Sequence, residues 1–360
     1  MSDRTDLVTL LPLQTSTGRD IIAENHQDKL NLHVPRSKKW GGGRESKKIT
    51  VNRFVVLDEL FFEGLGLWVG EGGKSKGIYF GNTSQELMLR FLEFVEKKLG
   101  LSREMFKVTV NSPRCEADLK ERWSKILQIP MVNFTGVCLD TRINHEYAQV
   151  YLNSIILVEL VKNLQEKLGQ TISSTKECAV SFLRGMFAAE GQVALRRPSS
   201  FHVTFSSTDL ELVSFLKQCL QLVDISSGKY MSNGRKFPIY GYKNLKRFRE
   251  LGIHTLHPEK RTKFECGFAS YKRINVLDGE EARKVILQQL ASGPKTYDDL
   301  AAALGKARTT IQAHHIPILE KQGLVKRAGK RKCAWLWALA EPTPAIFSTP
   351  TDRVLAAAQT

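Results

Sequence analysis

The 360 residues lack the marks of several protein classes. Cysteine is sparse and scattered, at 115, 138, 178, 219, 266 and 333, and no two form a C-x-x-C pair. That spacing argues against a zinc ribbon or a disulfide framework and suits buried free thiols in a reducing compartment. His254, His257 and Cys266 are near one another in sequence, but no fourth metal ligand accompanies them. No stretch approaches about 18 uninterrupted apolar residues, so no membrane span is expected. The opening MSDRTDLVTLLPLQ has no charged segment followed by a long apolar run, so no secretory signal is read. The expected location is intracellular, cytoplasmic or nucleoid-associated. Acids are outnumbered by bases: 37 Asp+Glu against 53 Lys+Arg, a formal net charge of +16. Such an excess suits a polyanionic partner, because Lys and Arg displace counterions from phosphates.

What is present is chiefly a repeat. FFEGLGLWVGEGG (61–73) and SFLRGMFAAEGQV (181–193) each place a Gly in an apolar helix-like run, an acid five positions later, then another Gly. The positions are Gly66, Glu71 and Gly72 in the first copy, and Gly185, Glu190 and Gly191 in the second. KGIYFGNT (76–83) and FHVTFSST (201–208) follow, alternating like half-buried strands. Each then leads into an amphipathic helix, one with Leu87, Phe91, Phe94 and Val95 on a face, the other with Leu212, Leu216, Cys219 and Leu220. Thr83 and Thr208 stand where caps are expected. Later, 150–161 parallels 239–251 as a strand running into a helix. Each copy reads α-β-β-α-β-β-α.

The C-terminal part reads as a helix (EARKVILQQLAS), a short helix from Thr296 to Gly305, a longer helix ending at Gly323 and a basic two-stranded turn around Gly329. That order is a winged helix-turn-helix. Pro317 lies inside the longer helix and should bend it by removing one backbone hydrogen bond. The fold class is therefore α+β. The divisions are a flexible basic leader (1–50), a first repeat (51–172), a second repeat (173–277), the winged helix-turn-helix (278–340) and a disordered tail (341–360).

The chemistry follows from the motif helices. Gly66 and Gly70 share a helix face, as do Gly185 and Ala189, so two such helices can approach backbone to backbone. Gly72 and Gly191 then suggest left-handed C-terminal caps. Each helix ends in a carboxylate where the helix dipole is already negative, a placement costing about 0.3–1 kcal/mol. Packed in parallel, the helices would bring Glu71 and Glu190 together and add mutual repulsion. A compensating cation is expected, and Mg2+ (or Mn2+) suits carboxylates combined with phosphate oxygens. Two decoys fail. GEGGKS (70–75) resembles the end of a P-loop, but Trp68 stands where its first Gly is required, and Gly64-Leu65-Gly66 lies within a helix rather than between strand and helix.

GLGLWVGEG (64–72) and LRGMFAAEG (183–191) resemble the two motifs of a single-chain LAGLIDADG homing endonuclease, and the similarity extends over roughly 54–275. The resemblance implies two pseudo-twofold-related αββαββα units with the motif helices at their interface, and two curved sheets forming a saddle over double-stranded DNA. It implies a monomer with internal pseudo-symmetry. The last acid of each motif, Glu71 and Glu190, would bind the metal at the cut site, with Gly70 and Ala189 beside them. A basic residue near each metal pocket is also implied. Lys260 is the candidate and Lys263 the runner-up, both in the second copy, and the first copy offers no clear equivalent. Val69 and Ala188 occupy positions where the family often has Asp. On the saddle's open face the pattern exposes Lys74, Tyr79, Gln192, Arg196, His202 and Thr204. Residues 229–273 add twelve Lys/Arg against three Asp/Glu, Lys243 among them. In the C-terminal unit, Arg308, Thr309, Gln312 and His314 would enter a major groove, while Lys326, Arg327, Lys330, Arg331 and Lys332 would hold phosphates. The function expected is site-specific DNA cleavage. A similar plan occurs in sporulation regulators that bind DNA without cutting it and lack the metal-binding acids, and some family members act on intron RNA as maturases.

Overall fold

The computed structural model describes residues 4–36, 45–72, 77–114, 116–195, 201–271, 279–331 and 333–340. Described residues of the N-terminal leader are ordered into strands, contrary to the expectation of a flexible segment. They form β1 (Arg4–Asp6), β2 (Ile22–His26), β3 (Lys29–His33) and β4 (Ile49–Asn52), followed by β5 (Phe54–Val56). β2, β3 and β4 make an antiparallel sheet, and β1 pairs with β5. The cause is the alternation in KLNLHV: Leu30, Leu32 and Val34 are buried with Ile49 and Val51 in the same core as the motif helices. Within the leader the basic, Gly-rich run PRSKKWGGGRESKK (35–48) suggests flexibility; its middle, 37–44, lies outside the described residues, as does the whole of 341–360.

The first repeat begins with α1 (Glu59–Glu71), whose first turn is capped by the Asp58 carboxylate. β6 (Ile78–Asn82) and α2 (Gln85–Lys97) follow, then β7 (Lys107–Ser112), α3 (Leu119–Leu127), β8 (Phe134–Leu139), β9 (Tyr147–Leu152) and α4 (Ile155–Ser174). The sheet order is β6-β9-β7-β8, with β8 parallel to β7 and the other pairs antiparallel. The αββαββα expectation is exceeded here, because α3 and β8 are inserted between the two strands that would otherwise form one hairpin. Trp123 and Leu127 of α3 are buried, so the insert is packed into the core. Positions 73–76, between the end of α1 and β6, lie outside the described residues.

The second repeat has α5 (Lys176–Glu190), β10 (Gly191–Ala194), β11 (His202–Ser206), α6 (Leu210–Leu222), β12 (Lys236–Ile239), α7 (Tyr242–Glu250) and α8 (Pro258–Ser270). β11 is the central strand of β10-β11-β12. The remaining expected strand is reduced to one bridge, Met231 to Lys236. α2 and α6 bury the apolar faces read from the sequence. Their caps fall one residue later than expected, at Ser84 and Asp209, whose side chains accept from Leu87 N and Leu212 N.

A second compact unit begins after Tyr271 and has its own core, including Ile286, Leu290, Leu300, Ile311, Leu319 and Trp337. Its elements are α9 (Gly279–Ala291), β13 (Lys295–Thr296), α10 (Tyr297–Leu304), α11 (Arg308–Thr310), α12 (Ile316–Lys321), β14 (Val325–Arg331) and β15 (Ala334–Leu339). Thr296 and Asp299 form a reciprocal capping box at the start of α10. Between α11 and α12, Ile311–His315 is a π-helical segment in which Ile316 N donates to Ile311 O. Pro317 follows at once. With no N–H of its own, it interrupts the normal ladder, and the helix widens just before it. β14 and β15 stay paired as far as Arg331 and Ala334, so Gly329 is not the hairpin turn but lies at a bulge in β14. Among the described residues no helix is long and apolar enough to cross a membrane.

Candidate active site and nucleic-acid face

The site is built where α1 and α5 run side by side in the same direction. A Cβ on Gly66 would stand 2.5 Å from Phe182 O, and one on Gly185 would stand 2.2 Å from Glu63 O. The pairing is reciprocal, since Glu63 and Phe182 occupy matching places in the two copies. Four residues on, a Cβ on Gly70 would lie 2.4 Å from Ala189 Cβ. The small-residue stripe thus brings both helix ends, and with them Glu71 and Glu190, to one place. The terminal glycines act differently from expectation. Gly72 and Gly191 have φ of −67° and −74°, so neither is a left-handed cap. Each leaves room for the aromatic ring one turn earlier: a Cβ on Gly72 would meet Trp68 Cδ1 at 1.8 Å, and on Gly191 Phe187 Cδ2 at 2.2 Å.

Glu71 is half-buried, and burial raises its pKa above the ordinary carboxylate value. The Asn82 amide donates to Glu71 Oε2 at 2.8 Å and opposes that rise, as does the charge on Lys260, whereas the Glu190 carboxylate adds to it. The two acids therefore share one electrostatic site. Lys260, in the first turn of α8, joins them. Its Nζ donates to the carbonyls of Phe187 at 3.2 Å, Ala188 at 2.6 Å and Ala189 at 2.8 Å. Burial brings its pKa down to about 8, against the attraction of Glu71 and Glu190. Lys263, the alternative, points elsewhere and pairs with Glu259 at 2.5 Å.

The oxygen-only donor set fits a hard divalent cation at the Glu71 end. Gly70 and Ala189 can offer only backbone carbonyls. Among the described residues no hydrogen bond reaches Glu71 Oε1, while Ala189 O already accepts from Lys260. His254, His257 and Cys266 do not assemble a metal site: His254 Nε2 is 2.7 Å from Glu265 Oε1, and the described residues contain no cluster of three His, Cys, Asp or Glu suited to a metal.

The sheet faces are partly as expected. Gln192 is exposed on β10, its Oε1 accepting from Lys236 Nζ at 2.9 Å, and His202 is half-buried on β11. Thr204 departs from expectation: it is 2% exposed, because it sits on the central strand between Gln192 and Pro238. Lys74 and Arg196 lie outside the described residues. Lys243 is exposed at the start of α7, whose Phe248 packs on the apolar side of the sheet against Phe187 and Phe205, so it belongs to the helix layer. The basic run around it is less free than its composition suggests. Arg249 pairs with Glu265, and Arg247 and Lys246 lie near Glu250.

Sequence reasoning missed several residues. Asn82 reaches Glu71 from the end of β6. Tyr79, already expected on the open face, lies within electrostatic reach of both Glu71 and Tyr147, and that face continues through Gln149, Tyr151 and Thr109, which the sequence did not single out. Buried Glu63 binds Arg90 at 2.7 Å and Arg184 at 2.5 Å, tying α1 to α2 and α5. Its counterpart is Phe182, so a comparison of the two copies hid it.

In the second unit, Arg308, Thr309, Gln312 and His314 are exposed along the interrupted helix. Arg308 is 3.4 Å from Asp298, and Arg331 pairs with Asp299 at 3.1 Å. Lys330 and Arg327 lie over the exposed Trp335 ring at 4.5 and 4.9 Å. Lys332 is outside the described residues.

Residues 177–251 match a family model described as a LAGLIDADG-like domain, and residues 271–334 match that of the N-terminal domain of the methanogenesis regulatory protein FilR1. Among solved structures, mesophilic variants of the homing endonuclease I-DmoI align at 13% identity and a TM-score of 0.37, over 57% of this chain and 97% of that one. Full-length DUF199/WhiA from Thermatoga maritima aligns at 15% identity and 0.36, over 74% and 91%. The N-terminal LAGLIDADG domain of DUF199/WhiA aligns at 18% and 0.33, over 54% and 82%. No curated protein matches the chain significantly.

Proposed function

We propose that the chain is a site-specific endonuclease for double-stranded DNA, with Glu71 and Glu190 as metal-binding acids, Mg2+ (or Mn2+) as the ion and Lys260 as a cationic catalytic partner. The observation that carries this reading is the convergence of two half-buried acids at the ends of two helices packed backbone to backbone, in mutual electrostatic contact and with a lysine within electrostatic reach of both. Such a site raises the energy of the free protein, and a polyanion held through cations relieves it. A bound divalent ion would supply an activated water and stabilise the leaving oxygen. The chain's own residues do the rest. Asn82 orients Glu71, Lys260 adds positive charge near the scissile phosphate, and Tyr79, Gln192 and His202 face the duplex. The C-terminal unit, with its helix–helix–hairpin order and basic strand, is read as a winged helix-turn-helix that adds a second DNA contact.

A DNA-binding regulator is the second reading. It is favoured by the Lys260 bond to Ala189 O, a carbonyl that a metal would use, and by the regulatory protein whose domain residues 271–334 resemble. Cleavage of a duplex library in Mg2+ separates the two. Glu71→Gln or Glu190→Gln should abolish breaks while binding persists. Undiminished cutting by either variant refutes the assignment, and duplex retention without breaks by the native chain favours the regulator.

A further inference from the structure

We infer that the chain seats a single divalent cation, at the Glu71–Gly70 end of the carboxylate pair, and that the Lys260 ammonium fills the place of a second cation at the Glu190–Ala189 end. The inference deepens the nuclease reading and rests on it.

The two helix ends are alike in sequence and unlike in surroundings. At the end of α5, three successive carbonyls, those of Phe187, Ala188 and Ala189, accept from Lys260 Nζ. The last turn closes alike at both ends, Gly72 N donating to Trp68 O and Gly191 N to Phe187 O, but among the described residues no ammonium donates to the carbonyls of Val69 or Gly70. Three donors of an ammonium are all it has, and its departure would strip Ala188 O and Ala189 O of that partner, while Phe187 O would keep the Gly191 N–H. Nor is its backbone loose. Further along α8, Phe264 packs against Phe201, Phe248 and His254, and a Cβ on Gly267 would lie 2.5 Å from Leu195. The ammonium is thus a built part of the α5 end.

Charge leads to the same count. Two carboxylates and one ammonium carry a net single negative charge, and one divalent ion turns this positive, as a phosphodiester requires. A second divalent ion would have to share Ala189 O with an ammonium and add like-charge repulsion.

The test is binding of Mn2+ alone to the full chain, followed through the electron paramagnetic resonance signal of free Mn2+. One ion per chain is expected in the native protein, none in Glu71→Gln, and a second site in Lys260→Met, which releases the α5 carbonyls. Circular dichroism checks that each variant is folded, and if Lys260→Met does not fold, the native stoichiometry decides. Two ions in the native chain, or no gain in a folded Lys260→Met, overturn the inference and leave the nuclease reading intact. No ion in the native chain overturns both.

Discussion

Lys260 sets the electrostatics of the site, and its titration exposes that role. Burial lowers its pKa from 10.5 to about 8 in the folded chain. The unfolded chain therefore holds the proton more tightly, so between about pH 8 and 10.5 the unfolded state binds more protons and folding stability rises with pH. Lys260→Met removes that dependence. The difference in unfolding free energy between native and variant proteins, measured by urea denaturation, should change across this window and stay flat below it. A difference that does not vary with pH would mean that the ammonium is as well solvated as in the unfolded chain. The convergence of Glu71 and Glu190 was readable from their repeated motif, and Lys260 was expected near them only from a resemblance of its segment. Asn82 was not, since the end of β6 carries it to the acid from a position with no motif around it. Thr204 was misread because alternation tells which side of a strand a residue faces, but not whether flanking strands cover it.

At the scale of elements, the contact between α1 and α5 organises everything else, and its determinant is the absence of side chains. Gly185→Ala would push a methyl to 2.2 Å from Glu63 O, a backbone atom that cannot swing aside. The helices would have to separate, at a cost of about 3 kcal/mol, the upper part of the range for overpacking. The same separation would spread Glu71 from Glu190. A fall in the urea midpoint of Gly185→Ala, together with loss of Mn2+ binding, is expected; a variant as stable as the native chain would show that the helices do not touch at this point. Helical spacing revealed this stripe in advance. The roles of Gly72 and Gly191 escaped it, because a terminal Gly is compatible both with a left-handed cap and with making room for Trp68 or Phe187. The α3–β8 insert escaped for another reason: the symmetry of the two copies was extended over a stretch where the first copy is longer. The N-terminal strands escaped because a nearby basic Gly-rich run dominated the reading of a short Leu30–Leu32–Val34 alternation.

For the whole molecule, the two units have separate hydrophobic cores, one holding the motif helices and the other centred on Ile286, Ile311 and Trp337. Separate cores imply separate cooperativity, because each unit buries its own apolar residues without help from the other. A fragment ending at Tyr271 should therefore keep a cooperative thermal transition close to that of the same region in the full chain. If the second unit also binds duplex, the fragment should bind DNA more weakly and with a shallower salt dependence, by roughly 0.9 in log–log slope for each phosphate that the second unit neutralises. Lys326, Arg327 and Lys330 are exposed bases of β14 from which that neutralisation would come, and Arg331, held by Asp299, is the weaker candidate. An equal slope in fragment and full chain would remove the second unit from the DNA interface and leave the pair of sheets as the whole nucleic-acid surface. A fragment that fails to melt cooperatively would show instead that the first unit depends on the second for its stability.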